Sequence, residues 1–227
     1  MSDDETDPPP SVDAPPSKLT RSKERWAKEG RFLTGHSARP QDQRLPPGQH
    51  LTRDWPILDL TGAPEIPRER WQLQVFGAVA HPQSWDWAQF SALTQTRFVS
   101  DIHCVTTWSR YDNQWDGVAT RDLLELVAPT DKASFVVLHS YDGYTTNLPL
   151  DDFAAPDALL AHSWAGAALP LDHGGPVRLV VPHLYFWKSA KWIRRIEVLT
   201  RDAPGYWEVR GYHNRGDPWQ EQRYSDD

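Results

Sequence analysis

Between Trp71 and Leu199 the hydrophobic pattern is broken so often that no regular segment can run far. Gly77, Pro129, the Asp142-Gly143 pair, Pro156, Ala165-Gly166 and Gly174-Gly175-Pro176 each interrupt it, and glycine and proline are the strongest local punctuators of a chain. What lies between the breaks is short and mostly alternating. Trp71–Gly77 repeats with period two, which predicts a half-buried strand. Strands are also expected over Thr96–Cys104, Ala133–Ser140, Val177–Pro182 and Trp192–Leu199, with hairpins at Asp142-Gly143 and Ala165-Gly166. Three short helices are expected. Ser84–Leu93 has Ser84 as its cap and Trp87, Phe90 and Leu93 on one face, Thr120–Ala128 stops before Pro129, and Asp151–Ala161 is shortened by Pro156. Short strands interleaved with short helices predict an α+β fold, mixed and rich in sheet.

The ends are poorer in apolar residues than the middle. Residues 1–17, acidic and proline-rich, are expected to form a disordered tail, and 220–227 a second one. Residues 18–50 are expected to form a short surface helix, ending near Gly30, and a proline-extended arm. A single domain then spans 51–219. The net charge of −7 argues against nucleic acid as a partner, because a nucleic-acid groove needs a basic surface. One cysteine excludes an intramolecular disulfide, and no apolar run approaches the roughly 18 residues a membrane span requires. The basic residues Arg21, Lys23 and Arg25 are followed by no apolar stretch, and no twin-arginine pair occurs in this N-terminal segment. The expected location is therefore the cytoplasm.

Chemistry concentrates in two places. The lone Cys104 sits where the strand Arg97–Ile102 ends and a polar, tryptophan-containing run begins. A lone cysteine is often just a small buried hydrophobe, but strand ends are where sites are commonly built. Further on, Arg178, Lys188, Lys191, Arg194 and Arg195 crowd together in an otherwise acidic chain. A guanidinium with ammonium groups beside it suits phosphate oxygens, although a solvated basic strand face has the same composition.

The stretch HCVTTWSRYDNQWDGV resembles the cysteine segment of the sulfite-oxidase-like molybdopterin oxidoreductases. HGGPVRLVVP at His173–Pro182 and KSAKW at Lys188–Trp192 are similar to that family's two cofactor-holding elements, in the same order and at similar spacing. The resemblance implies the sulfite oxidase type of molybdopterin-binding domain over about residues 51–199, a molybdenum-molybdopterin cofactor, and two-electron oxygen-atom transfer on a small oxo substrate. It makes Cys104 the molybdenum ligand and assigns His173, Arg178, Ser189 and Lys191 to the cofactor. Leu51–Asp59 is similar to a further cofactor-touching stretch, but Asp54 and Trp55 replace its usual Asn-His, so only Arg53 carries over. Ser140, with Asn147 as an alternative, resembles a hydroxyl that contacts the cofactor. Arg110 and Tyr206, or else Tyr212, are the candidates for the substrate side.

The family's sulfite oxidases place arginines directly behind the ligand cysteine. Here Thr106, Thr107 and Trp108 stand there, which leans away from a dedicated sulfite oxidase. The sequence carries no haem-attachment motif and too few residues after Thr200 for the dimerisation domain of sulfite oxidases, so electrons are expected to pass to or from a separate partner. Two rival readings stand beside this one. Cys104 could be a nucleophile, although adjacent strand residues face opposite ways and His103 is not its natural base. Alternatively, the 12 tryptophans could form a non-catalytic, aromatic-rich binding module.

Overall fold

The computed structural model describes residues 41–60 and 62–227. The expected acidic tail and the helix over residues 18–30 lie outside the described residues, as does part of the extended arm. In chain order the strands are β1 (His50–Leu51), β2 (Gln72–Gly77), β3 (Gln83–Asp86), β4 (Thr96–His103), β5 (Trp108–Ala119) and β6 (Phe135–Ser140). They continue as β7 (Thr145–Pro149), β8 (Leu159–Trp164), β9 (Ala167–Ala168), β10 (Arg178–Val180) and β11 (Ile193–Leu199). Among the described residues three short helices interrupt them: α1 (Trp87–Ala92), α2 (Thr120–Val127) and α3 (Leu150–Phe153).

The strands form two sheets. One has the order β3-β2-β11-β6-β7, with β2 and β11 parallel and the other pairs antiparallel. The other is built around β5, which pairs with β4, β8 and β1, while β8 also pairs with β10 and β9. The α+β architecture follows from the pattern of short alternating segments. Leu73, Val75, Ile196 and Val198 point inward from the first sheet and meet Leu123, Leu124 and Val127 of α2 and Phe90 of α1, all fully buried. Burial of each such side chain contributes on the order of 1.5–3 kcal/mol. A second, smaller cluster packs Phe98, Ile102, Trp115 and Val180 around Cys104.

Several local expectations are corrected by long-range pairing. Ser84 does not cap a helix, because it lies in β3 and pairs with Gln74. The cap of α1 is Asp86, whose carboxylate accepts from the Gln89 amide at 2.8 Å while the Gln89 side-chain oxygen accepts from the Asp86 amide at 2.9 Å, a reciprocal capping box. The helix expected over Asp151–Ala161 stops at Phe153, and Leu159–Ala161 instead pair with Arg178–Val180. Residues 220–227, expected as a tail, return to the body: Tyr224 bridges Tyr212, and the Ser225 amide donates to the Gly211 carbonyl at 3.0 Å. The longest strand, β5, was not expected at all. Its inward positions include Ser109 and Asn113, polar residues fully buried and hydrogen-bonded to His103 and to the Ser100 carbonyl, so hydrophobic alternation is absent where the sheet is deepest. Gly117 is required here. A Cβ at that position would lie 2.1 Å from the Leu160 carbonyl oxygen, where β5 and β8 change register.

Candidate active site

Segments from both sheets surround a cavity of about 340 Å³. β4 delivers Cys104 to its wall, and a tight turn takes the chain away: the Thr107 amide donates to the Cys104 carbonyl at 3.0 Å and the Cys104 amide to the Trp108 carbonyl at 2.8 Å. Thr107 closes the turn in the left-handed region, with φ of 75°. From outside, the Gln49 side-chain amide donates to the Cys104 carbonyl at 3.1 Å. The thiol is 6 % exposed and lies 3.1 Å from the Thr106 hydroxyl oxygen. Burial pushes its pKa up, and the Thr106 hydrogen bond opposes that. His103, one residue earlier, faces the other way, bonding the Ser109 hydroxyl at 2.8 Å and meeting the Trp219 ring edge-on. The imidazole next to the thiol in sequence is thus not its base.

The positive side of the cavity is organised by Arg178, whose guanidinium turns back from β10. It donates to the His173 carbonyl through Nη1 and to the Ser189 carbonyl through Nη2, each at 2.7 Å, and so ties two loops together. Gly174 permits that approach: at φ of 108°, a Cβ on it would meet the Arg178 Cβ at 2.9 Å and the Lys191 Cβ at 3.0 Å. Arg178 is 2 % exposed, lies over the Phe186 ring at 4.1 Å and forms no ion pair with a carboxylate among the described residues. Burial pulls its pKa down to about 9, which leaves it charged at neutral pH. Lys191 donates to the Asp172 carbonyl at 2.9 Å and lies 3.9 Å from the Asp59 carboxylate. Burial, and then repulsion from Arg178, bring its pKa down to about 8. The same two influences lower His173 to about 4, so its ring is neutral, and it stacks on Trp55 at 3.7 Å and 6°.

Cys104, Ser140, His173, Arg178, Ser189 and Lys191, separated by up to 87 positions in the chain, all line this one cavity. Ser189 contributes by anchoring: its hydroxyl accepts from the Val181 amide at 2.9 Å. Arg53, Arg110 and Tyr206 do not line it. Arg110 donates to the Arg53 carbonyl at 3.2 Å and lies over the Trp164 ring, while the Tyr206 ring carries the Arg210 guanidinium at 3.6 Å. Of the two tyrosines weighed, it is Tyr212 that reaches the cavity. Lys188 is also removed from the basic set, because it forms a buried ion pair with Glu208 at 2.6 Å. Asn147 is engaged by that same ammonium group. Cavity residues to which sequence reasoning assigned no role include Trp55, Tyr144, Phe186, Trp187 and Trp207. Trp55 stands where the similar family stretch has a histidine, and that replacement was the available signal.

Two buried donors in the wall, the Trp108 indole nitrogen and the Ser140 hydroxyl, have no hydrogen-bond partner among the described residues. Buried polar groups left unpaired are costly. Together with a buried cation that no carboxylate neutralises, they make the wall complementary to an acceptor-rich, negatively charged ligand. Among the described residues no group of three or more His, Cys, Asp or Glu side chains could hold a metal ion.

The family model of the oxidoreductase molybdopterin binding domain matches residues 60–207. The chain belongs to the molybdopterin-binding oxidoreductases. Within them it is 47 % identical over 186 residues to the uncharacterized oxidoreductase YuiH of Bacillus subtilis, covering 82 % of this chain and 94 % of that protein. It is 29 % identical over 170 residues to the putative protein-methionine-sulfoxide reductase subunit YedZ1 of Azospira oryzae, covering 74 % of this chain and 64 % of that one. With the protein-methionine-sulfoxide reductase catalytic subunit MsrP of Ralstonia nicotianae the identity is 27 %, over 64 % of this chain and 49 % of the relative. The chain thus spans nearly all of YuiH but about half of MsrP. The sulfane dehydrogenase SoxCD of Paracoccus pantotrophus has the same fold, with a TM-score of 0.57 at 20 % identity over 62 % of this chain and 41 % of that one. The sheet-rich α+β fold of the sulfite oxidase type is the one expected from the sequence. The cavity's unpaired donors, uncompensated guanidinium and single thiol fit a molybdopterin.

Proposed function

We propose that this oxidoreductase binds a molybdenum-molybdopterin cofactor with Cys104 as the protein's ligand to the metal, and that it carries out two-electron oxygen-atom transfer on a small oxo substrate of the sulfite, sulfoxide or N-oxide kind. The observation that carries this reading is the convergence of the Cys104 thiol with Arg178 and Lys191 on one cavity. Arg178 and Lys191 would hold the anionic cofactor, Ser140 would donate to it, and the neutral His173 would pack against it with Trp55 behind. When bound, the cofactor supplies the oxygen-atom and electron transfer itself.

The chain's own residues then bind, orient and exclude water. Trp108, Phe186, Trp187 and Trp207 make the wall largely aromatic, which keeps solvent from the reacting atoms. Trp108, whose indole N–H has no partner among the described residues, and Tyr212 both line the cavity and in this reading would donate to an acceptor such as a sulfoxide oxygen. Among the described residues Arg178 is the sole arginine of the wall, and in this reading it is taken up by the cofactor, which leaves neutral donors for the substrate and favours a neutral oxo group over a free oxyanion. The relatives named as protein-methionine-sulfoxide reductases point the same way. Reduction of a sulfoxide to a sulfide and water consumes two electrons and two protons, and the electrons come in this reading from a separate redox protein. Location in the cytoplasm is part of the same proposal. No described helix is long and apolar enough to cross a membrane.

The test is to purify the chain from a molybdenum-replete host, together with Cys104→Ser, and to measure bound metals by mass spectrometry and the visible spectrum. About one molybdenum per chain, with a thiolate-to-metal band that the variant loses, supports the assignment. Well-folded protein without molybdenum from a competent host overturns it.

A further inference from the structure

The hydroxyl of Thr106 lies 3.1 Å from the Cys104 sulfur, two residues away across the Cys104–Trp108 turn. That placement is held from several directions. The left-handed Thr107, its amide bond to the Cys104 carbonyl and the Cys104 amide bond to Trp108 fix the path of the turn. Gln49 grips the Cys104 carbonyl from the arm. The backbone amides of Val105 and Thr106 also interact favourably with the sulfur when it is charged. A thiolate has no proton to give, so in that state the hydroxyl is the donor and the sulfur the acceptor. The turn thus sets donors beside the sulfur.

We infer that Thr106 is a positioning residue for the metal centre: its hydroxyl donates to the Cys104 thiolate, draws electron density off the sulfur and raises the reduction potential of the metal the sulfur binds. The inference rests on Cys104 being the molybdenum ligand, as proposed above. Its physical basis is general, since hydrogen bonds to ligating sulfur are a principal means by which proteins tune thiolate-bound metals. A hydrogen-bonded thiolate gives less charge to the metal. The oxidised metal is then less stabilised, and the reduced form is favoured.

Thr106 is exposed, so replacing its hydroxyl by a methyl group disturbs little packing. The experiment compares the loaded wild-type protein with Thr106→Val, Thr106→Ser and Cys104→Ser by visible absorption and by redox titration. In Thr106→Val the thiolate-to-metal band moves to longer wavelength, and the midpoint potential falls. A tenfold change in the equilibrium between oxidised and reduced forms corresponds to about 59 mV for a one-electron couple. Thr106→Ser, which restores the hydroxyl, returns both band and potential towards wild type. If the wild type shows a band that Cys104→Ser abolishes, but Thr106→Val leaves band and potential unmoved, the role of Thr106 is overturned while the ligand assignment stands. If the wild type holds no molybdenum, or its spectrum ignores Cys104→Ser, the ligand assignment fails and the inference with it.

Discussion

The Arg178 guanidinium donates to the carbonyl of His173 at 2.7 Å, closing the segment between them around Gly174 while its other terminal nitrogen holds Ser189. Arginine is needed for this, because a lysine ammonium is a single point and cannot span two carbonyls in fixed directions. Arg178→Gln is expected to lower unfolding stability by about 2–6 kcal/mol, since the half-buried His173 carbonyl and the buried Ser189 carbonyl lose their donor at about 1–3 kcal/mol each. Arg178→Lys is expected to rescue little of that loss. Urea titration measures the stability of both variants, and metal analysis will show whether both also lose bound molybdenum.

Lys188 and Glu208 form a second buried relationship, with side chains 0 % and 1 % exposed. Glu208 also accepts from Trp187 and Thr146, each at 3.0 Å, and so pins the segment that carries Trp207 and Tyr212 to the cavity wall. Removing one member of such a pair leaves an uncompensated buried charge, at a cost of about 3–5 kcal/mol. Glu208→Gln should therefore unfold at clearly lower denaturant, and the double variant with Lys188→Met should recover part of the difference. A double variant no more stable than Glu208→Gln alone would contradict the pairing.

Away from the cavity, His183 lies between Asp152 at 3.0 Å and Asp157 at 3.5 Å. Burial alone would lower its pKa, but the hydrogen bond to Asp152 and the negative charge of both carboxylates outweigh burial and push it up to about 9. The folded protein therefore holds this proton more tightly than the unfolded chain, whose histidine titrates near 6.5. The contribution, at most about 3 kcal/mol, is complete below about pH 6.5, declines as pH rises and is lost above about 9. Asp152 has the opposite sign. Burial raises it, but bonds from His183 and Arg215 hold it well below the usual carboxylate range, so its contribution is lost in acid. Thermal melts from pH 6 to 9.5 should show a falling midpoint that is flatter in His183→Gln.

Lys191 gives the cavity its own pH dependence. With its pKa brought down to about 8 by burial, its charge is present below that pH and lost as pH rises through it. An anionic cofactor should be retained through gel filtration at pH 7 and released faster at pH 9. In Lys191→Arg, whose guanidinium keeps its proton at both values, retention should depend far less on pH. Molybdenum per chain in the eluted protein is the readout.

Much of the candidate site was legible because the chemistry is local. The thiol at a strand end, the five-residue spacing of His173 and Arg178, and Lys191 beyond them are patterns of residue type and separation, and all of these residues line the cavity. Alternation likewise revealed β2, with Leu73 and Val75 on its buried face, and apolar content revealed β6 and β11. β5 escaped because its depth is satisfied by polar pairs. Asp101 lies opposite an irregular stretch where Asp112 has φ of 55°, and Arg44 bonds both carboxylates at 2.6 and 2.7 Å. No local pattern encodes a partner 57 or 68 positions away.

By itself, then, the sequence determined which side chains can ligate a metal, which segments alternate and where the chain must turn, because these depend on neighbours a few residues apart. The tertiary structure alone decided which candidates meet. It sent Lys188 to Glu208 and Lys191 to the cavity, although the two lysines share one short motif. It brought Tyr212 rather than Tyr206 to the wall and placed Trp55 on His173 across 118 positions of chain. The physical reason is burial: a charge or an indole comes to rest where distant elements, packed together, leave it a partner, and that partner exists only once the sheets have closed.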